Sequence, residues 1–578
     1  MKKFLVSLIL INIVVFAKDI VETNQDSPEI INFKKDNIKK SSLDIKKDKE
    51  INKRKNKKND LIVNIKSSRE EKIKKREELE KEKSSKKESS NVKKIDLSTE
   101  VKDENKKEES IEPKKLTVKD ILIDIFSDLD FLDTKISFTL LNELGKPVLS
   151  VNPDLSLNQA SVSKVIITLA TIKYLGLNYR FKTEFYIDGE IDEKGVLDGD
   201  LIVKGYGDPN LLISDIYKIV DFFKLSGLKK INGNLIIDLS YFDKVHSIYS
   251  LQKEDDSRSY AADNSALPLD YNSFKFSVTG KSTLEEKPLI KISYPASYFI
   301  KLKNRLVTSK RWSHYKFKTK DKRWKMTELE AKGRVKLDSP VRFYYRKVRN
   351  VDYYFGKIFY KILRKNGIRV TKRLRVKYDD QLKDRKEATL YYAHHTKYLF
   401  DTLILMNRYS NNFIAEQLLK IIGAETSTTE SKQGSWSLGI KAIKKMLRED
   451  VKIDDSYKYE TASGLNEANF FSSFQIARIL YYAKTNFDYK WYLLSTLPKI
   501  GVSGTMRRYC LNEDCKGVVL AKTGTLRTTI ALAGFLKGKK KIYTFSLAVN
   551  FKKSRKKRNK VLRKSKQLIT NIIDIEEL

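Results

Sequence analysis

Residues 157–172 read LNQASVSKVIITLATI and combine a hydroxyl, an amine and an apolar helix. Ser161 and Lys164 stand three positions apart, so on a helix the amine can reach the hydroxyl. A serine hydroxyl is a poor nucleophile at neutral pH and needs a base within hydrogen-bond reach. Burial and a nearby positive charge would keep a lysine partly neutral, as a base must be. The stretch predicts a serine nucleophile and a lysine base at the start of a helix.

Two further short segments supply matching groups. Ser410-Asn411-Asn412 lies in a break between predicted helices over 398–409 and 412–422. Its hydroxyl can relay a proton, and the Asn412 carboxamide can hydrogen-bond a substrate amide. Lys522-Thr523-Gly524-Thr525 lies on an apolar strand, where Gly524 leaves room for a ligand backbone to add along the strand. Alone, these segments are compatible with a plain helix cap and an ordinary turn. Together, and in this order, they favour one acyl-transfer site.

The series S-x-x-K, S-x-N and K-T-G resembles the penicillin-binding proteins and serine β-lactamases. Further passages resemble the low-molecular-mass class C penicillin-binding proteins, the D-Ala-D-Ala carboxypeptidase/endopeptidase family (peptidase family S13). A long insertion between the first two motifs is typical of that family. The passages that carry the narrower resemblance are Gly199-Asp200-Leu201 to Gly207-Asp208-Pro209, Ala266 to Asn272, Ser463-Gly464-Leu465, Leu497-Pro498 and Gly501 to Met506.

The resemblance implies an α/β fold, in which a serine β-lactamase/transpeptidase-like domain with an antiparallel sheet and helices is interrupted by mainly-β inserted domains. We expect the first part of the main domain over 116–183, the inserted domains over 184–387 and the second part over 388–578. Short apolar runs, glycine turns and many aromatics in 184–387 also favour strands. From about residue 388 the pattern becomes helical again. We expect late strands over 518–536 and 542–549, and a basic helix over 552–566.

The resemblance also implies the chemistry. Ser161 would attack the carbonyl between the two terminal D-alanines of a peptidoglycan stem peptide, Lys164 would take its proton, and Ser410 would pass a proton to the leaving amine. Asn412 would hold the substrate amide. β-Lactams would trap Ser161. The terminal carboxylate would be bound by Lys522, Thr523 and Thr525, beside Gly524. No cofactor is implied.

The chain departs from the family pattern at two places. Asn411 stands where aspartate is frequent, and Thr461-Ala462 precede Ser463 where an acidic residue and a glycine are usual. We consider the second departure more relevant to substrate positioning than to the catalytic step. Alternative functions are a serine β-lactamase, or a non-catalytic wall-binding or scaffold protein. Retention of every motif side chain argues against the scaffold, and the large insertion argues against the β-lactamase.

The first residues predict export. Lys2 and Lys3, the apolar run from Phe4 to Phe16 and the small residue Ala17 are typical of a secretory signal over residues 1–17. We therefore expect a periplasmic or cell-envelope protein, with an uncleaved, membrane-associated signal as the alternative. Residues 18–115 are rich in lysine, glutamate and serine and predict a disordered tether. Cys510 and Cys515 could close a small loop, but their spacing does not distinguish a disulfide from two free thiols.

The chain of 578 residues carries a formal net charge of +41. Residues 18–115 hold 30 basic and 23 acidic residues, so most of the excess lies after the tether. In an exported protein this charge favours anionic wall polymers or a membrane surface as partners. We find no nucleic-acid recognition motif. The four histidines show no metal-ligand spacing, so neither a zinc peptidase nor a Ser-His-Asp hydrolase is supported.

Overall fold

The structure is a computed structural model that describes residues 133–247, 257–428, 433–465, 467–511, 513–538 and 541–573. The predicted signal, the tether and the first residues of the predicted main domain lie outside these ranges. All described residues belong to one unit, Glu112–Leu578. None of the described helices has both the length and the apolarity that crossing a bilayer requires.

The strands of the described residues are numbered in chain order. They are β1 (Thr134–Leu141), β2 (Pro147–Val151), β3 (Leu157–Asn158), β4 (Arg180–Ile191), β5 (Val196–Gly205), β6 (Lys230–Ile231), β7 (Leu235–Asp238), β8 (Ser273–Thr279), β9 (Leu289–Ile292), β10 (Ile300–Ser309), β11 (His314–Lys322), β12 (Met326–Lys336), β13 (Arg342–Lys347), β14 (Arg369–Val370), β15 (Leu374–Lys377), β16 (Thr389–Tyr398), β17 (Phe470–Phe471), β18 (Val519–Thr525), β19 (Thr529–Lys537) and β20 (Ile542–Phe551).

The α-helices of the same residues are numbered likewise. They are α1 (Lys164–Leu175), α2 (Ile213–Leu225), α3 (Val351–Lys365), α4 (Leu399–Tyr409), α5 (Asn412–Glu425), α6 (Trp436–Met446), α7 (Ser473–Thr485), α8 (Phe487–Thr496) and α9 (Arg555–Ile573).

The main sheet joins the two ends of the described chain. Its order is β18-β19-β20-β1-β2, and every neighbouring pair is antiparallel. Side chains of β19 alternate between its two faces, as the strand period of two requires. Ile530 and Leu532 pack into one core with α9, whereas Ala531 and Ala533 pack into the larger core shared with α1 and α5. The antiparallel sheet with helices on both faces agrees with the predicted fold class.

Helix α1 is the centre of the helical layer. Every residue from Lys164 to Ile172 is buried, and the helix contacts α4, α5, α6 and α8. An all-round apolar helix is stable only inside a core. The Ser161–Lys164 motif therefore lies at the start of a helix that is buried along most of its length.

The residues between the first two motifs form three further sheets. The largest contains β14-β6-β5-β4-β16, with β7 pairing β5 and β15, and the others are β10-β12-β11 and β13-β8-β9. Strand β16 follows the end of the predicted insertion. It pairs with β4, which spans the predicted boundary at residue 183. The predicted division at 183 and 387 stays a prediction.

Several local predictions need correction. The run over 518–536 is two strands, β18 and β19, separated at 526–528, so three late strands are present rather than two. The basic helix continues past residue 566 to Ile573. The region over 184–387 also contains the long helices α2 and α3, which we did not expect. Both bury an amphipathic stripe, so tertiary packing prevails over their many aromatic and β-branched residues.

Candidate active site

The turn before α1 presents Ser161. Residues Ala160–Ser163 form one 3-10 turn, and Ala160 adopts a left-handed backbone conformation with φ of 46°. The turn is fixed by its neighbours, because the Asn158 carboxamide oxygen accepts from the Ala160 N–H at 2.9 Å, and the Ser163 hydroxyl donates to the Ala160 carbonyl at 3.0 Å. Such backbone strain persists only where surrounding contacts determine it. The hydroxyl of Ser161 is half-buried.

The amine of Lys164 contacts the Ser161 hydroxyl. Lys164 is fully buried, and its Nζ lies 3.0 Å from Ser161 Oγ, 2.8 Å from Asn412 Oδ1 and 2.8 Å from the Ser463 carbonyl oxygen. The Ser161 hydroxyl lies 3.2 Å from the same Ser463 carbonyl. The predicted base therefore occupies the position that proton transfer from Ser161 requires.

Burial changes the protonation of this amine. It lowers the pKa of Lys164 from its usual value to about 7, because the charged form loses its hydration, while the negative charge of Glu416 acts in the opposite direction. A lysine with a pKa near neutrality is a competent general base, which an ordinary surface lysine is not.

Glu416 anchors the loop that supplies the Ser463 carbonyl. Its buried carboxylate accepts from the Ser463 N–H at 2.9 Å, from the Trp436 indole N–H at 2.9 Å and from the Ala462 N–H at 3.4 Å. Gly464 completes the loop with φ of 70°, and a Cβ there would lie 1.9 Å from the Ala160 carbonyl oxygen. The loop thus packs directly on the Ser161 turn, and only glycine fits at that contact.

Ser410 ends α4 in a left-handed conformation with φ of 55°. Asn411 caps α5, since its side chain accepts from the Ile414 N–H at 3.1 Å. The middle residue of this motif is thus a helix cap, and its identity bears little on the chemistry. Asn412 faces the site, with its oxygen on Lys164 and its nitrogen donating to the Tyr260 carbonyl at 3.2 Å.

Lys522 joins the third motif to the second. It is fully buried on β18, and its Nζ donates to Ser410 Oγ at 2.9 Å and to the Thr523 carbonyl at 2.9 Å. Burial lowers the pKa of Lys522 well below its usual value, and the nearby positive charge of Lys164 lowers it further. The two lysines therefore belong to one electrostatic cluster.

The end of β18 forms the open side of the site. Thr525 is exposed, and Thr523 Oγ1 lies 2.8 Å from Thr505 Oγ1. A Cβ at Gly524 would lie 2.7 Å from the Gln159 carbonyl oxygen, so glycine permits the strand to approach the Ser161 turn. Strand β18 is at the edge of the main sheet.

Cys510 and Cys515 form a disulfide, which resolves the alternative that their spacing left open. They close the loop that follows Thr505, the contact of Thr523. A cavity of about 450 Å³ also adjoins the site. It is lined by Ser410, Asn412 and residues between the first two motifs, which include Tyr260 and Asp270.

The structure thus brings most of the predicted site residues together in two adjoining hydrogen-bonded groups. Lys164 contacts Ser161 and Asn412, whereas Lys522 contacts Ser410 and the Thr523 carbonyl, and the short segment 410–412 joins the two groups. Gly524 packs beside the Ser161 turn, and Thr525 is exposed at the end of the same strand. Our sequence reasoning missed Glu416, the Ser463 carbonyl and Thr505. No group of His, Cys, Asp and Glu suited to a metal ion occurs in the ranges that the structure describes.

Comparison with known proteins identifies relatives of this chain. The sequence model of the D-Ala-D-Ala carboxypeptidase 3 (S13) family matches residues 136–568. The chain is 26% identical over 388 residues to D-alanyl-D-alanine carboxypeptidase DacB of Haemophilus influenzae, covering 65% of this chain and 77% of that protein. It is 27% identical over 402 residues to D-alanyl-D-alanine carboxypeptidase of Actinomadura sp. (strain R39), covering 68% and 73% respectively.

The fold also matches a solved structure. The crystal structure of penicillin binding protein 4 (dacB) from Haemophilus influenzae aligns with a TM-score of 0.69 and 24% identity. The alignment covers 79% of this chain and 99% of that one. The predicted fold class is therefore confirmed.

Proposed function

The chain belongs to the D-Ala-D-Ala carboxypeptidase 3 (S13) family, and we propose that it is a penicillin-binding, serine-type DD-peptidase that acts on peptidoglycan stem peptides. It would act as a carboxypeptidase or endopeptidase through an acyl-enzyme on Ser161. The observation that carries this proposal is the 3.0 Å contact between Ser161 Oγ and the buried Lys164 amine, whose pKa is about 7. A non-catalytic scaffold would gain nothing from the free energy spent on burying that amine.

In the acylation step, the hydroxyl proton of Ser161 moves to the neutral Lys164 amine as Oγ attacks the carbonyl carbon between the two D-alanines. The N–H groups of Ser161 and Thr525 would stabilise the negative oxygen that forms, at a few kcal/mol for each donor. The C–N bond then breaks, and the leaving amine needs one proton. Ser410 would pass on to it the proton that Lys164 took from Ser161, so that the Lys164 amine is neutral again before deacylation. The Ser410 hydroxyl is oriented by Lys522, from which it accepts a hydrogen bond at 2.9 Å.

Deacylation reverses these roles. A water molecule attacks the ester carbonyl and gives a proton to the neutral Lys164 amine, and Ser161 leaves as a hydroxyl.

Lys522, Thr523 and Thr525 would bind the terminal carboxylate of the substrate, and the substrate backbone would add along the edge strand β18 beside Gly524. Asn412 would hold the amide of the preceding residue. A β-lactam would enter the same way and remain esterified to Ser161.

The test compares wild type with Ser161→Ala and with a control, Ser156→Ala, at an exposed serine five residues earlier. We expect wild type and control to release D-alanine from a soluble stem pentapeptide and to bind fluorescent penicillin covalently. Ser161→Ala should do neither. Covalent labelling without D-alanine release would indicate a sensor or scaffold. Rapid loss of the label with hydrolysis of the drug would indicate a β-lactamase.

The location and the domain division are part of the proposal. We propose that residues 1–17 direct export to the periplasm or cell envelope, that 18–115 act as a tether, and that 184–387 are inserted between the parts 116–183 and 388–578. The export signal and the tether fall outside the described residues. N-terminal sequencing of the protein recovered from the envelope tests whether the signal is cleaved or retained as an anchor. Anionic wall polymers or a membrane surface are the proposed partners of the basic surface.

A further inference from the structure

The sheet β10-β12-β11 carries a strongly basic face. Its register places ten lysine and arginine side chains on one side with two acidic ones, Glu328 and Glu330. We call this side the cationic face. Its basic members are Lys301, Lys303, Arg305, Lys316, Lys318, Lys320, Lys322, Lys332, Arg334 and Lys336.

The opposite side of the sheet is buried. Leu306, Phe317, Leu329 and Val335 point into the core of the inserted region. Because side chains alternate along a strand, burial of this side fixes the basic residues in solvent. All ten basic side chains are exposed, whereas Glu328 and Glu330 are not. The fold itself therefore places these basic side chains together on the solvent side of the sheet.

The two carboxylates neutralise only part of the charge. Glu330 lies within 3.6 Å of Arg305, Lys320 and Lys332, and Glu328 pairs with Lys322 at 3.0 Å. Within the described residues, the other six basic side chains have no ion pair. They are Lys301, Lys303, Lys316, Lys318, Arg334 and Lys336.

One row of side chains across the three strands of the cationic face destabilises the sheet. Arg305, Lys332 and Lys316 lie directly opposite one another on the three strands. Like charges in such positions destabilise a sheet. Rows are about 7 Å apart along the strands, and neighbouring strands are about 5 Å apart. An extended ligand with repeated negative charges would contact several rows at once and relieve this repulsion.

We propose that the cationic face binds the carboxylates of polymeric peptidoglycan and so holds the enzyme on its substrate. The proposal rests on the proposed function, because the terminal D-alanine of each stem peptide that a DD-carboxypeptidase cleaves bears a free carboxylate. A polymer of such peptides is therefore a flexible polyanion that matches the face in charge. Once one contact to such a polymer has formed, the other contacts form at a high effective concentration, so many weak contacts together retain the enzyme on the polymer.

The test variant replaces Lys303, Lys316, Lys318 and Arg334 by glutamine, since none of them takes part in an ion pair of the sheet. The matched control replaces four exposed lysines elsewhere, namely Lys194, Lys229, Lys372 and Lys441. Each protein is first acylated with penicillin, so that the active site cannot contribute, and is then sedimented with purified sacculi. We expect roughly tenfold weaker binding for the test variant at low salt, and little change for the control. High salt should abolish the difference.

Three further measurements identify the ligand. Removal of stem peptides from the sacculi with an amidase should abolish the difference between wild type and variant. Extraction of phosphodiester polymers from the sacculi should leave that difference unchanged. If wild type and variant differ only while those polymers are present, the proposal is overturned. Trp312 and Trp324 are exposed at opposite ends of the sheet, so binding to vesicles of anionic phospholipid is measured as well. If wild type and test variant differ in binding to vesicles but not to sacculi, the cationic face is a membrane-binding surface, and the proposal is overturned.

Turnover of a soluble pentapeptide separates this inference from the proposed function. The test variant should release D-alanine from that small substrate at the wild-type rate, because none of its four positions lies in the site. If the variant binds sacculi like wild type while the pentapeptide is still cleaved, only the cationic face is refuted. If wild type cleaves no pentapeptide, the proposed function itself fails.

Discussion

Replacement of Glu416 by glutamine should slow acylation of Ser161 without removing any group that touches the substrate. The carboxylate accepts from the Ser463 and Trp436 N–H groups, both at 2.9 Å. Glutamine keeps the shape, but its NH₂ would face one of these donors. A hydrogen bond to a charged group contributes about 1.5–3 kcal/mol. If the free energy that positions the Ser463 carbonyl for acylation falls by this amount, the acylation rate falls roughly 10- to 150-fold, since each 1.4 kcal/mol is about tenfold.

The same substitution should change the pH profile in a defined direction. The negative charge of Glu416 raises the pKa of Lys164, against the larger effect of burial. Its removal therefore lowers the pKa of Lys164 further, so the amine stays neutral to lower pH. The acid limb of the acylation rate should move to lower pH, while the plateau rate falls. A purely structural defect would lower the plateau and leave the limb in place.

The assay is the second-order rate constant of labelling by fluorescent penicillin between pH 5 and 9, with thermal unfolding measured in parallel. Glu425→Gln is the matched control, because this residue ends the same helix α5 but is exposed. Glu416→Asp, which keeps the charge, should retain the position of the acid limb. Wild-type rates and an unshifted limb in folded Glu416→Gln would refute the assignment of Glu416 as a positioning residue.

Three other changes have defined outcomes. In wild type, labelling should fall roughly tenfold per pH unit below about 7, because the pKa of Lys164 lies there and its protonated form is no base. Gly464→Ala should abolish labelling and cost more than about 2 kcal/mol, since its Cβ meets a carbonyl oxygen at 1.9 Å. Gly176→Ala, at φ of 75° and ψ of 160° with open space around it, should cost about 1–3 kcal/mol of stability in denaturant titrations but leave labelling intact. Reduction of the Cys510–Cys515 disulfide should lower stability by about 2 kcal/mol, measured as the unfolding midpoint with and without reductant.

The sequence was most informative where chemistry depends on short spacing. The three-residue interval between Ser161 and Lys164 is sufficient to predict their contact, since helix geometry fixes it. That Ser410 and Lys522 join them followed from the order of the motifs and the resemblance to a family. Spacing alone could not predict it, because 112 residues separate these two side chains, which lie 2.9 Å apart.

The missed features are those that leave no side-chain pattern. The carbonyl of Ser463 is a backbone group, so no motif search over side chains reports its contact with Lys164. Glu416 looks like any helical glutamate until the fold buries it against Trp436. Helices α2 and α3 were missed for a different reason. Their aromatic and β-branched residues favour strands locally, and only packing in the folded protein selects the helix.

The protonation of the site also depends on the fold rather than on residue type. Lys164 and Lys522 are both fully buried, and two ammonium groups in one enclosed cluster disfavour each other. A substrate carboxylate at β18 would stabilise the charged form of Lys522. That charge would in turn favour the neutral form of Lys164, which is the form that would accept the Ser161 proton. Binding of the correct terminus would therefore prepare the base, and a ligand without a carboxylate would lack this coupling between recognition and catalysis.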